Sequence, residues 1–182
     1  MKKLFIIAVV LITGITANKV SAQDKSTGTT TLSVTLDAVQ SITVNQNAVA
    51  LNFTTSANYL TGVNAIQANH LTFASTSGFA ITAMAGSDLT GTGTTGGPIP
   101  ISTVKITASP GSTGTLPVVP STAEQPLSKD APITVYSSPS IVTAGGTTQA
   151  NLNINYMASG GTNYLNRTGT FSSTITYTIA PL

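Results

Sequence analysis

The sequence predicts an all-β protein, an antiparallel β-sandwich of the immunoglobulin-like kind. Its last long segment, Gly169–Ile179, alternates apolar and hydroxyl side chains, with Ser173 as the one hydroxyl residue on the apolar face. Many shorter alternating segments precede it, and turn residues separate them about every 8–12 positions, which is typical of sandwiches and barrels. Beyond the first residues, no segment of useful length repeats its apolar residues with the 3.6-residue period of a helix.

The closing segment provides the clearest strand prediction. Alternate residues of a strand lie on opposite faces, so one face carries the four large residues predicted to form a core and assembly strand: Phe171, Ile175, Tyr177 and Ile179. The other face carries Thr170, Ser172, Thr174, Thr176 and Thr178. At about 3.3 Å per residue the segment would extend for roughly 35 Å, which is longer than an average strand. We therefore expect it to pair along a whole sheet.

The preceding segments complete the predicted sandwich. Strands are expected at the following places: Thr31–Leu36, Ile42 with Val44, Val49–Phe53, Leu71 with Phe73, Phe79–Ala83, Ile101–Ala108, a short edge at Ile133–Tyr136, and Leu152–Tyr156. Residues 56–69 are predicted to be a loop with at most a short strand, and residues 86–100 a loop rich in Gly and Thr. The segment Pro110–Pro132 contains five prolines. Since proline cannot donate a ladder hydrogen bond, this segment is predicted to be a surface excursion outside the sheets.

An outer-membrane β-barrel is the rival all-β interpretation. Its strands would need about 9–11 residues each and girdles of aromatic residues. Only the closing segment is that long, and aromatic residues make up 5% of the chain. The pattern therefore favours the sandwich.

The N-terminus resembles a secretory signal peptide, residues 1–22. Two lysines follow Met1, an apolar run covers Leu4–Ile15, and small residues precede a predicted cleavage site between Ala22 and Gln23. The run is too short to span a membrane. An uncleaved anchor is the alternative. A single domain is expected over residues 23–182, because about 160 residues can bury a sizeable core.

Removal of the leader changes the charge. The whole chain has a formal charge of +2, whereas residues 23–182 carry four basic and five acidic side chains, a formal charge of −1. The basic character therefore gives no reason to expect a nucleic-acid partner or stable membrane insertion. Charged residues are 7% of the chain, against about 25% in ordinary proteins. The chain has no cysteine, so the exported domain must depend on its core rather than on disulfides.

Two short motifs match enzyme signatures only superficially. Residues 91–96 follow the pattern G-x-G-x-x-G, but dinucleotide binding needs a strand before and a helix after that pattern, whereas Gly97 and Pro98 follow here. Ser102 and Lys105 match S-x-x-K, which requires both residues on one helical face. On a predicted strand they face opposite ways.

No catalytic or metal-ligating constellation is recognisable. His70 is the only histidine, so it cannot assemble a metal site with the usual three or four ligands. The acidic residues are scattered, without calcium-loop spacing. A Ser-His-Asp triad would need His70, and no nucleophile-elbow motif accompanies it. The sequence therefore predicts a protein that is not an enzyme and has no cofactor or metal.

Five tyrosines leave a binding function open. They are Tyr59, Tyr136, Tyr156, Tyr164 and Tyr177. Tyrosines of this kind stack on sugars in some modules, but in sandwiches they more often lie half-buried with the hydroxyl at the rim. A glycan therefore remains a candidate partner.

Several segments together resemble bacterial fimbrial-type secreted domains, including pilin-like proteins and the spore-coat-U type. The matching pieces are the signal peptide, Leu51–Phe53, the hairpin from Leu71 to Thr82, and the closing strand with Thr176–Ile179. The resemblance implies a pilin-like sandwich exported through the periplasm to the cell surface or the medium. It also implies a non-enzymatic structural or adhesive subunit, whose partners are copies of itself or other surface subunits. The alternative is a soluble carbohydrate-binding module.

Overall fold

Alternating side chains build two antiparallel sheets in the part of the chain that the computed structural model describes, residues 26–92, 95–140, 142 and 149–182. In spatial order, the first sheet contains β1 (Gln40–Val44), β2 (Val63–Ser75), β7 (Ala150–Ala158), β4 (Val104–Pro110) and β5 (Gln125–Pro126). The second contains β6 (Ile133–Ser138), β3 (Phe79–Ala85) and β8 (Ile175–Pro181). The predicted antiparallel all-β sandwich is confirmed, and its immunoglobulin-like subtype stays a prediction.

The chain divides into two units, residues 1–35 and residues 36–182. Both sheets belong to the second unit. In the first unit only residues 26–35 are described, and they are exposed and form neither helix nor strand. The predicted signal peptide and its cleavage site at Ala22 and Gln23 lie outside the described residues.

The core forms where the inward faces of the two sheets meet. In β7, Leu152 and Ile154 are fully buried while Asn151 and Asn153 face outward, as period-2 alternation requires. From β2, Phe73 meets Phe79 of β3, with ring centroids 5.5 Å apart. Aromatic pairs in such tilted contact add to the stabilisation from area burial alone.

One segment predicted to be a loop is regular. Residues 56–69 contain the helix α1 (Ser56–Thr61) and the first half of β2. The side chain of Thr55 accepts a hydrogen bond from the Asn58 amide, and the Asn58 side chain accepts one from the Thr55 amide, so a capping box starts the helix. Six residues are too few to reveal a helical period. The many amides of early β2 also obscure its alternation.

The structure differs from the predicted strands at several places. Residues 49–53 form no strand, and Ile101–Thr103 is a 3₁₀ turn that precedes β4. Residues 31–36 form no strand. The closing strand begins at Ile175 rather than at Gly169, although Ser172 bridges to Thr90 upstream of it. Within the proline-rich excursion, β5 pairs with β4 and Leu127 is buried, so the prediction that all of 110–132 lies outside the sheets is wrong at this end. A proline can occupy β5 because β5 is an edge strand.

Candidate functional site

A groove of about 920 Å³ opens along one side of the sandwich. Two segments supply much of its lining: Val44 at the end of β1 with residues 46–54 after it, and residues 169–174 with Ile175 at the start of β8. His70 and Tyr156 of the first sheet also contribute to its lining. Chain segments that resemble strands therefore border the groove.

The first flank, residues 47–53, has the side-chain pattern of a strand but no strand partner. Val49, Leu51 and Phe53 are half-buried and pack against the core clusters, while the residues between them are exposed. No main-chain group of residues 47–53 takes part in a hydrogen bond with any described residue. These groups must be hydrogen-bonded by water or by another chain, since unpaired backbone polar groups are costly.

The second flank consists of residues 169–174 and the outer edge of β8 at Ile175 and Tyr177. The Gly86 amide donates to the Thr174 carbonyl at 2.8 Å, which fixes Thr174, Thr176 and Thr178 as the residues whose main-chain groups bond toward β3. Main-chain groups alternate in direction along an antiparallel strand. The amides and carbonyls of Ile175 and Tyr177 therefore point away from β3, and no described residue bonds to them.

The four residues predicted for the core and assembly strand separate into two groups. Tyr177 is buried, and Ile175 and Ile179 are half-buried against the main core. Phe171 packs instead against a second cluster that contains Ile99, Ala158 and Tyr164. Phe171, Ile175 and Tyr177 line the groove, whereas Ile179 does not.

A chain of hydrogen bonds, part-buried at Gln46 and buried at its tyrosines, joins four residues that line the groove. Gln46 Oε1 lies 2.8 Å from His70 Nδ1, and His70 Nε2 lies 2.9 Å from the Tyr156 hydroxyl. The Tyr156 hydroxyl lies 2.6 Å from that of Tyr177. The last contact joins β7 of the first sheet to β8 of the second.

The surrounding contacts determine which group donates in each of these hydrogen bonds. The Gln46 amide nitrogen donates to the Ala68 carbonyl, so the Gln46 oxygen faces His70 and accepts the proton of Nδ1. Nε2 of the neutral ring is then an acceptor for the Tyr156 hydroxyl, and Tyr177 donates to Tyr156.

Burial shifts the pKa values of the three titratable groups in this hydrogen-bond chain, His70, Tyr156 and Tyr177. Burial raises the pKa of Tyr156 to about 12 and also raises that of Tyr177, for which Tyr156 adds a further upward contribution. Burial lowers the pKa of His70, because the cationic ring would lose its hydration. All three groups are therefore neutral at pH 7.

The sequence carries only weak signals for this hydrogen-bond network. A single histidine raises the possibility of a metal site or a catalytic triad, but it does not by itself indicate a structural polar network. Its tyrosine partner lies 86 positions away in the sequence. The alternation that turned Tyr177 inward was visible, whereas the bulge of β2 between Gln67 and Leu71, which positions His70, was not.

In the described residues, neither enzyme-like motif is placed as its enzyme chemistry requires. Ser102 lies in a short 3₁₀ turn, Ile101–Thr103, and Lys105 lies in β4 with its ammonium 2.7 Å from Glu124. Two residues of the 91–96 motif lie outside the described residues, and its neighbours Leu89 and Ile99 pair as an isolated bridge. Among the described residues, no group of three or more His, Asp or Glu side chains is placed to hold a metal.

Most of the tyrosines are inaccessible to a glycan. Four are buried: Tyr136, Tyr156, Tyr164 and Tyr177. Tyr59 is half-buried, and its ring lies 5.2 Å from that of Phe53. Phe53 and Phe171 are also half-buried and line the groove with Tyr59, so among the described residues these three partly covered rings are the aromatic surface that a sugar could contact.

Comparison of the chain with protein-family models and with curated proteins finds no match. Within the described ranges, no helix combines the length and apolar character needed to cross a bilayer.

Proposed function

We propose that this protein is a non-enzymatic structural subunit of the bacterial cell surface that assembles with copies of itself by strand addition. In this proposal, an extended segment of one copy enters the groove of the next and pairs with the outer edge of β8. The observation that supports it best is a gap bordered by two strand-like flanks with unpaired main-chain groups. An added strand would hydrogen-bond to these groups and cover the apolar side chains between them.

The chain itself contains a segment suited to this gap. Leu32, Val34 and Leu36 are 87%, 73% and 88% exposed, although they alternate regularly with Ser33 and Thr35. Such a row of large apolar residues in water is unfavourable. Burial would stabilise each side chain by about 1.5–3 kcal/mol. The segment would supply an apolar face to the groove and a hydroxyl face to solvent.

The dimensions are also compatible. Six residues of strand, 31–36, extend for roughly 20 Å, about the length of an average strand. The segment carries no charge, so its insertion would bury no unpaired ion. An unprotected strand edge is ordinarily a site of association between chains. In a surface subunit, that association would be the function.

Self-assembly is favoured over the carbohydrate-binding alternative by the accessibility of the aromatic side chains. Among the described aromatic residues, only Phe53, Tyr59 and Phe171 are partly exposed, and each is half-buried, whereas the groove offers apolar side chains and unpaired main-chain groups together. Export to the cell surface is part of the proposal and rests on the signal-peptide pattern. An adhesive role would require a further ligand site on the assembled subunits.

The test compares the size of the particles that the mature chain forms in solution with the size of those formed by a variant carrying Leu32→Asn, Val34→Asn and Leu36→Asn. Sedimentation velocity and negative-stain microscopy are expected to show concentration-dependent oligomers or filaments for the natural chain and monomers for the variant. A matched control, Ser33→Asn with Thr35→Asn, changes the hydroxyl face alone and should assemble. Equal masses for all three proteins would contradict the proposal.

A further inference from the structure

The hydrogen-bond chain Gln46–His70–Tyr156–Tyr177 forms part of the groove floor, so an occupant of the groove would cover it. His70, Tyr156 and Tyr177 all line the groove, yet His70 is only 2% exposed. An added strand with an apolar face would exclude the water that remains near the ring. The inference below rests on the proposed function, because the added strand is its occupant.

A proton added to His70 has no good arrangement of hydrogen bonds. Nδ1 already donates to Gln46, and in the charged ring Nε2 must donate as well, so the Tyr156 oxygen would have to accept. Only one of the two tyrosine hydroxyls can then donate to the other, so the second hydroxyl proton has no acceptor within the network. One hydroxyl proton would have to turn toward the groove, where water can accept it only while the groove is open.

The charges around His70 do not favour its cation. The titratable groups that contact the ring are Tyr156 and Tyr177, with ring centroids 5.5 and 5.7 Å away, and both are neutral below pH 10. Among the described residues, no carboxylate lies within 4 Å of the imidazole nitrogens. The charged side chain that shares the groove lining is Arg167, a cation. Nothing near the ring therefore replaces the hydration of a charged imidazole.

We propose that capture of a strand by the groove is coupled to deprotonation of His70, so that the subunits bind one another at neutral pH and separate in mild acid. The filled groove accepts only the neutral ring, whereas the open groove tolerates a proton because water can reach the displaced hydroxyl. Linkage then makes the affinity for the strand fall with pH below the His70 pKa of the open form.

The direction of the effect follows from the lowered pKa. Burial holds the His70 pKa of the open protein below the ordinary 6.5, and the filled groove would lower it further. The affinity is therefore constant above about pH 6.5, and it decreases by up to about tenfold per pH unit below the open-form pKa.

The experiment uses the mature chain with Leu32→Asn, Val34→Asn and Leu36→Asn, which cannot offer its own segment. A synthetic peptide of residues 29–36, acetylated and amidated, is the probe, and it ends before Asp37 so that no carboxylate enters the groove. Isothermal titration in two buffers of different ionisation enthalpy measures affinity and proton release at pH 7.5 and 5.0. The expected result is proton release at pH 5.0 and a higher dissociation constant there than at pH 7.5.

A non-titrating variant and a direct titration provide the controls. His70→Gln, added to the same chain, should bind the peptide with an affinity that does not depend on pH. If His70→Gln does not fold, NMR titration of the imidazole, the only one in the chain, gives its pKa with and without peptide. A lower pKa in the presence of peptide supports the coupling.

The possible outcomes separate the two proposals. Failure of the peptide to bind at pH 7.5 would overturn the proposed function, and with it the coupling. Binding at pH 7.5 that is equally strong at pH 5.0, without proton release, would leave the proposed function in place and overturn the coupling alone.

Discussion

The phenol oxygens of Tyr156 and Tyr177 lie 2.6 Å apart, although the two residues belong to strands of different sheets. Most contacts between the sheets are apolar. The hydrogen bond between these two hydroxyls crosses the core beside the groove, and unlike an apolar contact it depends on direction. It fixes the position of β8 relative to β7 more narrowly than apolar packing alone would, because a hydrogen bond weakens steeply with misalignment.

The first prediction concerns this link. Tyr177→Phe removes the donor to Tyr156 but keeps the ring, so we expect a loss of about 1 kcal/mol in the free energy of unfolding, measured by denaturant titration. Tyr136→Phe is the matched control. The Tyr136 hydroxyl accepts a long hydrogen bond of 3.4 Å from the Val118 amide and also interacts with the Ser138 side chain, but neither contact joins the two sheets through a second tyrosine, and its loss should have a smaller effect. A larger effect at Tyr136 would contradict the assignment.

The second prediction concerns the register of β8. Ile175 is half-buried against the core, whereas Thr176 is exposed. Ile175→Ala should therefore lower the free energy of unfolding by about 1–2 kcal/mol, less than the 2–5 kcal/mol typical of a fully buried isoleucine. Thr176→Ala should cost less than about 0.5 kcal/mol. Ile81→Ala, at a fully buried site in β3, sets the upper reference. Equal effects at 175 and 176 would indicate a slipped register.

The third prediction concerns the stability of the unassembled chain in acid. Burial lowers the pKa of His70 in the folded protein, so the unfolded chain binds a proton more readily. The contribution of His70 to stability is complete above pH 6.5 and declines as the pH falls below that value, by at most about 1.4 kcal/mol per pH unit. Urea titrations at pH 7.5, 6.0 and 5.0 measure the decline. His70→Gln should show a flat profile over this range, and a decline as steep as that of the natural chain would assign the effect to other groups.

The fourth prediction concerns the proline-rich excursion. Val119 is 79% exposed, and described residues 111–124 form no strand, so a protease of broad specificity should cut first near Val118–Val119. Lys129, the lysine near the end of this segment, follows the buried Leu127, whose amide donates to the Val104 carbonyl. Trypsin should therefore cut there more slowly. Mass spectrometry of the early fragments decides between the two sites.

The sandwich itself was predictable because its strands alternate large apolar and polar residues. Leu152 with Asn153, and Phe79 with Ala80, mark their faces in the sequence and occupy them in the structure. The start of β2 was not predictable, because its inward residues include the small Ala65 and the polar Gln67. A period of 2 is weak where both faces carry small or polar side chains.

The candidate site was only partly predictable, because alternation reports a face and not a partner. Val49–Phe53 and Leu32–Leu36 have the same pattern as the paired strands. Nevertheless, Val49–Phe53 flanks the groove without hydrogen-bonding to a neighbouring strand, and Leu32–Leu36 is exposed. Both were predicted as ordinary strands. What distinguishes them is the main-chain hydrogen bonding, which depends on the neighbours that the fold supplies and leaves no local signal in the sequence.

A pair of engineered cysteines tests strand addition between copies most directly. The natural chain has no cysteine, so one copy can carry Ser33→Cys and another Thr174→Cys. Both residues would lie on the solvent face of the joined strands, where neighbouring positions come within disulfide distance. As a control, Thr174→Cys is replaced by Thr134→Cys, an exposed residue of β6 at the opposite edge of the same sheet.

The strand-addition account predicts that the Ser33→Cys and Thr174→Cys proteins, mixed and mildly oxidised at pH 7.5, give a mixed disulfide dimer in excess of the control mixture. A mixed dimer no more abundant than that with Thr134→Cys would contradict it.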